Sequence, residues 1–248
     1  MLPIAHVFNP MAGVSSDVAV VMPSIGRASI MQALQSVFDQ VGVQRIQVLI
    51  GIDKPSSNTV FLSDFLRKCP SHVTGVVLNL PWSTSVRHGG FHSATDGGSL
   101  RAILSLMANA RYVAYLDDDN TWAPDHLEKL LNAIQDKTWA FSQRFLVDED
   151  TGENYGPDLW HSVGVDKGDF SLQGGLVDTN CLMVDIVSTA AVIGRWASSG
   201  SSRPGVTADR FLFSAIRSAP HGRVDEPTVF YKIRKTNILH RHIREARV

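Results

Sequence analysis

Val113-Ala114-Tyr115-Leu116-Asp117-Asp118-Asp119-Asn120 is the stretch on which the reading of this chain turns. Apolar residues suited to a buried strand run straight into three successive carboxylates. Such carboxylates repel one another strongly unless a cation or a set of donors neutralises them. Hard divalent cations that also hold phosphate oxygens suit an oxygen-only set, so the cluster points to chemistry on a diphosphate. In an extended turn Asp117 and Asp119 face one side and Asp118 the other. One carboxylate could then bind the cation and another a ribose hydroxyl. Capping of the helix after Trp122-Ala123-Pro124 competes with this reading, but capping does not need three acidic side chains.

Working outward, strand-like and helix-like segments alternate through the first half. Residues 17–23 form a continuous apolar run ending in Pro23, suited to a strand buried on both faces. Ile30, Leu34, Val37, Phe38 and Val41 recur at helical spacing after Ser29. Strands are expected over 45–52, 73–80 and 112–116, with helices over 58–68 and around Leu100, Ile103, Leu104 and Met107. Alternation of this kind implies parallel pairing with right-handed crossovers. Ligands then collect beyond the carboxyl ends of the strands. Pro23-Ser24, Asp53 and Asp117 to Asp119 all follow strand ends and should meet at one edge.

The second half is less regular. A helix is expected over 123–135, with Pro124 in its first turn, where a missing N–H does little harm. Residues 139–147 and 176–184 read as strands, 207–218 as a helix and 227–233 as a strand. Residues 148–152 are a turn. The Ser- and Gly-rich run 198–205 fits either a lid or a tolerant loop. The expectation is an α/β chain forming one domain over 1–248, with a donor half (17–135), an acceptor half (136–233) and a basic tail (234–248).

A net charge of −1 gives no electrostatic case for nucleic acid as the partner. Cys69 and Cys181 are too far apart in sequence to suggest a disulfide scaffold or metal knuckle. No apolar run approaches the roughly 20 residues of a membrane span. The first seventeen residues hold no Lys or Arg, so the charged start of a signal peptide is missing and a cytoplasmic location is expected. Arg234, Lys235, Arg241, Arg244 and Arg247 make either a solvated basic terminus or a peripheral membrane contact.

The segments Val20-Val21-Met22-Pro23-Ser24-Ile25-Gly26-Arg27 and Leu34-Gln35-Ser36-Val37-Phe38-Asp39-Gln40 carry further information in their order. So do Val48-Leu49-Ile50-Gly51-Ile52-Asp53 and the acidic run followed by Pro124-Asp125-His126-Leu127. Together they resemble the family 2 glycosyltransferases of the GT-A type, firmly over 17–135 and more loosely to about 233. The resemblance implies a mostly parallel central sheet flanked by helices, with a small antiparallel acceptor-side extension. It implies that Pro23, Ser24 and Arg27 contact the nucleotide, that Asp53 reads the base and that Arg101 lies near the donor. Asp117 and Asp118 would contact the nucleoside, and Asp119 would hold Mn²⁺ or Mg²⁺ against the diphosphate. Bland alternatives are surface ion pairs for Arg27 and Arg101 and turn formation with Lys54-Pro55 for Asp53. Asp96-Gly97-Gly98 could bring N–H groups to phosphate or simply start a helix.

On the acceptor side, Thr207-Ala208-Asp209-Arg210-Phe211 matches a position where the family commonly carries an acidic pair. Ala208 departs from that pattern and leaves Asp209 as the base, unless it only caps the helix. Gly174-Gly175-Leu176-Val177-Asp178-Thr179-Asn180 resembles the strand beneath the acceptor. Asp178 or Asn180 would bind a sugar hydroxyl or satisfy buried backbone, and Trp160 with His161 could form an acceptor platform. His240 and His242 are candidates for the metal or diphosphate, or part of a solvated tail. The implied activity is a metal-dependent, inverting transfer from a nucleotide-diphosphate sugar, UDP by family frequency, to a hydroxyl acceptor.

Two other readings stay open. Asp117-x-Asp119-x-Thr121 also resembles the first motif of haloacid-dehalogenase-like phosphatases, with Asp117 as nucleophile and Asp119 as acid. That family places the motif on its opening strand, whereas three strands are expected ahead of it here. A carbohydrate-binding relic would keep the sheet without the chemistry. A sugar-phosphate nucleotidyltransferase would need a glycine-rich, lysine-bearing opening loop that Ser24-Ile25-Gly26-Arg27 does not supply.

Overall fold

The computed structural model describes residues 5–11, 13–54, 59–158, 163–198 and 208–235. Strand β1 (Ala5–Phe8) is followed by β2 (Ser16–Ser24), in which Val18 to Met22 are fully buried. Helix α1 (Ile30–Phe38) leads to β3 (Ile46–Ile52), α2 (Val60–Leu66) to β4 (Val73–Asn79) and α3 (Gly98–Leu106) to β5 (Ala110–Tyr115). Then come β6 (Thr121–Trp122), α4 (His126–Ala133), β7 (Trp139–Asp148) and β8 (Asn154–Pro157). Two short strands, β9 (Gly164–Val165) and β10 (Gly175–Leu176), form a separate antiparallel ribbon. The chain continues through β11 (Leu182–Asp185), α5 (Ile186–Thr189), α6 (Ala208–Ile216) and β12 (His221–Ile233).

A single mixed sheet runs in the order β1-β4-β3-β2-β5-β11-β7-β12-β6, with β8 attached to β7. The long pairings β4-β3-β2-β5 and β7-β12 are parallel, and the short ones are antiparallel. From β2 the chain moves outward through β3 to β4, then returns to place β5 on the other side of β2. Right-handed crossovers therefore put α1 and α2 on one face and α3 on the other. Phe38 and Phe65 stack at 5.4 Å on the first face, while Leu100 and Leu104 of α3 pack on Gly51 from the second. The reversal between β2 and β5 is a topological switch point, where the loops at the carboxyl ends diverge and open a crevice.

Strand direction decides what else reaches that crevice. β11 runs antiparallel to β5, and β7 antiparallel to β11, so two reversals cancel and β7 runs with β5. β12 is parallel to β7, so it ends on the same edge as β2, β3 and β5. β11, running the other way, begins there.

The structure departs from the sequence expectation at residues 176–184. Instead of one strand, β10 is followed by a 3₁₀ turn over Thr179–Cys181 before β11. The polar side chains explain the break: Asp178 accepts from the Asn180 N–H at 2.9 Å and pairs with Arg144 at 2.7 Å. β12 is longer than the expected 227–233 strand and shifts register around Pro227, which has no ladder donor.

The N-terminus of α3 joins the two halves of the chain. A Cβ on Gly98 would overlap the Trp196 carbonyl oxygen and approach the Ala208 methyl. Trp196 is itself buried against Tyr115, with ring centroids 4.8 Å apart. Gly98→Ala should therefore lower stability by about 1–3 kcal/mol, read as a reduced Tm, because backbone on one side cannot move away. An unchanged Tm would contradict this packing.

Candidate active site

Beyond the carboxyl edge lies a cleft of about 340 Å³. Its walls include Pro23, Ser24 and Arg27 from β2 and its following turn, Asp53 from the end of β3, and Arg101 from α3. Asp117, Asp118 and Asp119 complete the set expected from the sequence. Arg87, His88, Thr95, Asp96, Gly97 and Arg234 also line it.

The acidic run is a tight turn rather than an extended one, with the Asn120 N–H donating to the Asp117 carbonyl at 3.3 Å. The expected division, with Asp117 and Asp119 facing together, is therefore corrected. Asp118 and Asp119 share Arg27, which donates to them at 3.1 and 2.9 Å. Asp118 also accepts from the Ser24 hydroxyl at 2.6 Å. Asp119 takes a second guanidinium, Arg234, at 2.8 Å, and Arg234 reaches Glu149 at 3.0 Å. Asp117 turns away to Arg101 and to the Asn180 amide. Three guanidinium groups thus face the three carboxylates; Arg101 is a buried pair, whereas the Arg27 side chain stays 39 % exposed.

Neutralisation is incomplete. Burial, followed by repulsion from Asp117 and Asp118, pushes the Asp119 carboxyl up to about 6 despite Arg27 and Arg234. Burial also raises Asp118, opposed by the Ser24 hydrogen bond and by Arg27. Asp53 is held otherwise. Its Oδ1 accepts from the Thr84 N–H at 2.6 Å, the Thr84 hydroxyl at 2.9 Å and the Ser83 hydroxyl at 3.0 Å. Asp53 therefore anchors the loop that carries Arg87 and His88 into the cleft, a larger task than forming a turn with Lys54.

Gly97 adopts a left-handed φ of +73° at the start of α3, where a Cβ would strike the Pro23 ring. The adjacent Asp96 carbonyl accepts from Arg101, fixing that guanidinium beneath Asp117.

On the acceptor side the structure redistributes the candidates. Asn180 is 1 % exposed, and its amide is committed to Asp117 and Asp178 rather than presented to a sugar. Asp178 pairs with the buried Arg144. Asp209 lies half-buried in the first turn of α6 and accepts from the Arg210 N–H at 2.8 Å; it is not in the cleft wall. The neighbouring Ala208 is 4 % exposed and abuts Gly98, which explains why a second carboxylate has no room there. Trp160, His161, His240 and His242 lie outside the described residues.

Sequence reasoning passed over Ser83, Thr84, Arg87 and His88, and read Arg234 only as the start of a basic tail, whereas it pairs with Asp119 in the cleft. The rule that strand ends meet would have found Arg234, had the two antiparallel reversals before β12 been known.

Because folding raises the Asp119 pKa from 3.8 to about 6, the folded protein holds this proton more tightly than the unfolded chain does. The ionised carboxylate is then a destabilising charge, absent below about pH 4 and fully present above about pH 6. Asp119→Asn should stabilise the ligand-free protein on the order of 2 kcal/mol at pH 7.5, with a smaller gain at pH 5. Thermal unfolding at the two pH values checks this, and a gain independent of pH would refute it.

A family model described as "Glycosyl transferase family 2" matches residues 19–183. No curated protein matches significantly. Among solved structures, S. aureus TarS residues 1–349 superposes with a TM-score of 0.62 at 12 % identity, over 87 % of this chain and 60 % of that one. The same fragment in complex with UDP gives 0.61 at 12 % identity, over 88 % and 60 %. Its complex with UDP-GlcNAc gives 0.61 at 13 % identity, over 90 % and 60 %. The chain thus spans 60 % of the TarS fragment, and at this identity the likeness establishes a shared fold, α/β and GT-A-like. With the match covering well over half its length, the chain belongs to glycosyl transferase family 2.

Proposed function

We propose that this enzyme takes a sugar from a UDP-sugar and transfers it to an acceptor hydroxyl with inversion at the anomeric carbon, assisted by Mn²⁺ or Mg²⁺. One observation carries the reading: side chains from four strand ends and one helix converge on a cleft whose acidic floor is held by arginines. The TarS complexes with UDP and UDP-GlcNAc support UDP-GlcNAc as the first donor to try.

Each donor-side residue has a role its surroundings allow. Asp53, with Oδ1 occupied by Ser83 and Thr84, offers Oδ2 to a base N–H. Asp117 and Asp118 accept from the nucleoside, and Arg27 and Arg234 supply positive charge beside the diphosphate. Asp119 suits a hard cation as a carboxylate that two guanidinium groups leave under-neutralised. Among the described residues no cluster of three or more His, Cys, Asp or Glu side chains could hold a metal, so donor phosphate oxygens would complete the shell. A divalent ion there would neutralise charge developing on the leaving diphosphate. Asp209 takes the acceptor proton as the hydroxyl attacks from the face opposite the leaving group.

A thermal-shift screen of UDP, GDP, CDP and dTDP sugars, with and without Mn²⁺, tests the donor. UDP-sugar should stabilise the protein, with an added increment from Mn²⁺ that Asp119→Ala abolishes. Equal responses of the variant and the wild type would remove the metal assignment, and phosphate release from sugar phosphates would favour the phosphatase reading. Asp209→Asn should lower kcat by about 10²–10⁴ with donor binding near normal. Undiminished turnover would take Asp209 out of the mechanism.

A further inference from the structure

A buried cation outside the cleft wall is tied to the acidic turn by a continuous set of hydrogen bonds. Arg144, in β7, is 3 % exposed. Its guanidinium donates to Asp158 at 3.0 Å and Asp178 at 2.7 Å, beneath the Tyr231 ring at 4.5 Å. The other oxygen of Asp178 accepts from the Asn180 side-chain amide at 2.9 Å. Asn180 then clamps Asp117 twice: its carbonyl accepts the Asp117 N–H at 2.7 Å, and its amide donates to the Asp117 carboxylate at 3.0 Å. Trp122, just past the acidic turn, donates its indole N–H to the Asn180 backbone carbonyl at 2.9 Å.

Stability alone is a weak reason for such an arrangement. A buried ion pair often does no better than apolar residues of the same volume, because removing the charges from water offsets their attraction. What the arrangement supplies is direction. An amide fixed by Asp178 can present its carbonyl to an N–H and its NH₂ to a carboxylate in only one orientation. Asp117 therefore has one side chain position, between Asn180 and Arg101.

We infer that Asn180 and Arg144 are positioning residues for the donor: from the second half of the chain they fix the Asp117 carboxylate against which the nucleoside binds. The inference rests on the donor role proposed for Asp117. Asp178, expected from the sequence to meet the acceptor, is the link between them.

The test measures UDP affinity by calorimetry, and donor KM and kcat by UDP-GlcNAc turnover, on the full chain. Asn180→Asp keeps the size and the acceptor for the Asp117 N–H but replaces both donated hydrogen bonds, to Asp117 and to Asp178, with carboxylate repulsion. It should weaken UDP binding and raise donor KM by about 10- to 100-fold, the range for a lost hydrogen bond to a charged group, with kcat changed much less. Arg144→Met should weaken UDP binding in the same direction, and Arg144→Lys, which keeps a cation beside Asp178, should recover part of it. A folded Asn180→Asp protein with wild-type donor KM would overturn the inference. So would a lower Tm in the Arg144 variants with no change in UDP affinity, the signature of a structural role alone. If wild type itself binds no UDP, the donor reading fails; if wild type binds and the variants bind equally well, only the positioning role fails.

Discussion

Three adjacent carboxylates cannot be left bare at the rim of an apolar sheet, and much of the molecule is arranged around that constraint. Arg27 comes from the turn after β2, Arg101 from α3 and Arg234 from the end of β12. They are distant in sequence, so the neutralised turn exists only when the sheet is assembled. Ser24 and Asn180 complete the set with neutral hydrogen bonds. Burial of Asp119 still outweighs its two arginines, which leaves its carboxyl titrating above the usual carboxylate range. A site whose charge is imperfectly matched without ligand is one that ligand binding can stabilise.

The parallel half of the fold was legible because its signals are local. Val18 to Met22 and Ile46 to Ile52 are buried on both faces, and such strands read as near-continuous apolar runs, interrupted here only by Gln47. Once they were placed, the residues after their ends had to meet. The cleft therefore gathers Ser24, Asp53 and the acidic turn. The antiparallel half was less legible because its logic is non-local. Nothing near Arg234 reveals that its strand pairs with β7 and ends at the cleft. Nor does the apolar pattern around Arg144 show that a cation is buried there, or that Asp178 and Asn180 are drawn out of a strand to meet it and the acidic turn. Strand β1, with alternating exposure at the sheet edge, is too short to give a clear period.

The two halves are thus not a donor module with an acceptor module appended. α6 and the turn at Trp196 press on the start of α3, and Asn180 fastens the acidic turn from the opposite side. Asn120 adds a third connection: its side chain accepts the Lys232 N–H at 2.8 Å, two residues before Arg234. The geometry of the cleft is consequently set by residues that a reading of the first half alone would omit. Among the described residues no helix is long and apolar enough to cross a membrane.

The most direct test is a crystal structure of the protein with UDP and Mn²⁺, with anomalous diffraction to locate the metal. The expected map shows the manganese peak beside the Asp119 carboxylate, the diphosphate between it and the Arg27 and Arg234 side chains, and the base against Asp53. UDP bound away from the acidic turn, or Asp119 still paired with both arginines while nucleotide occupies another surface, would contradict the assignment of this cleft.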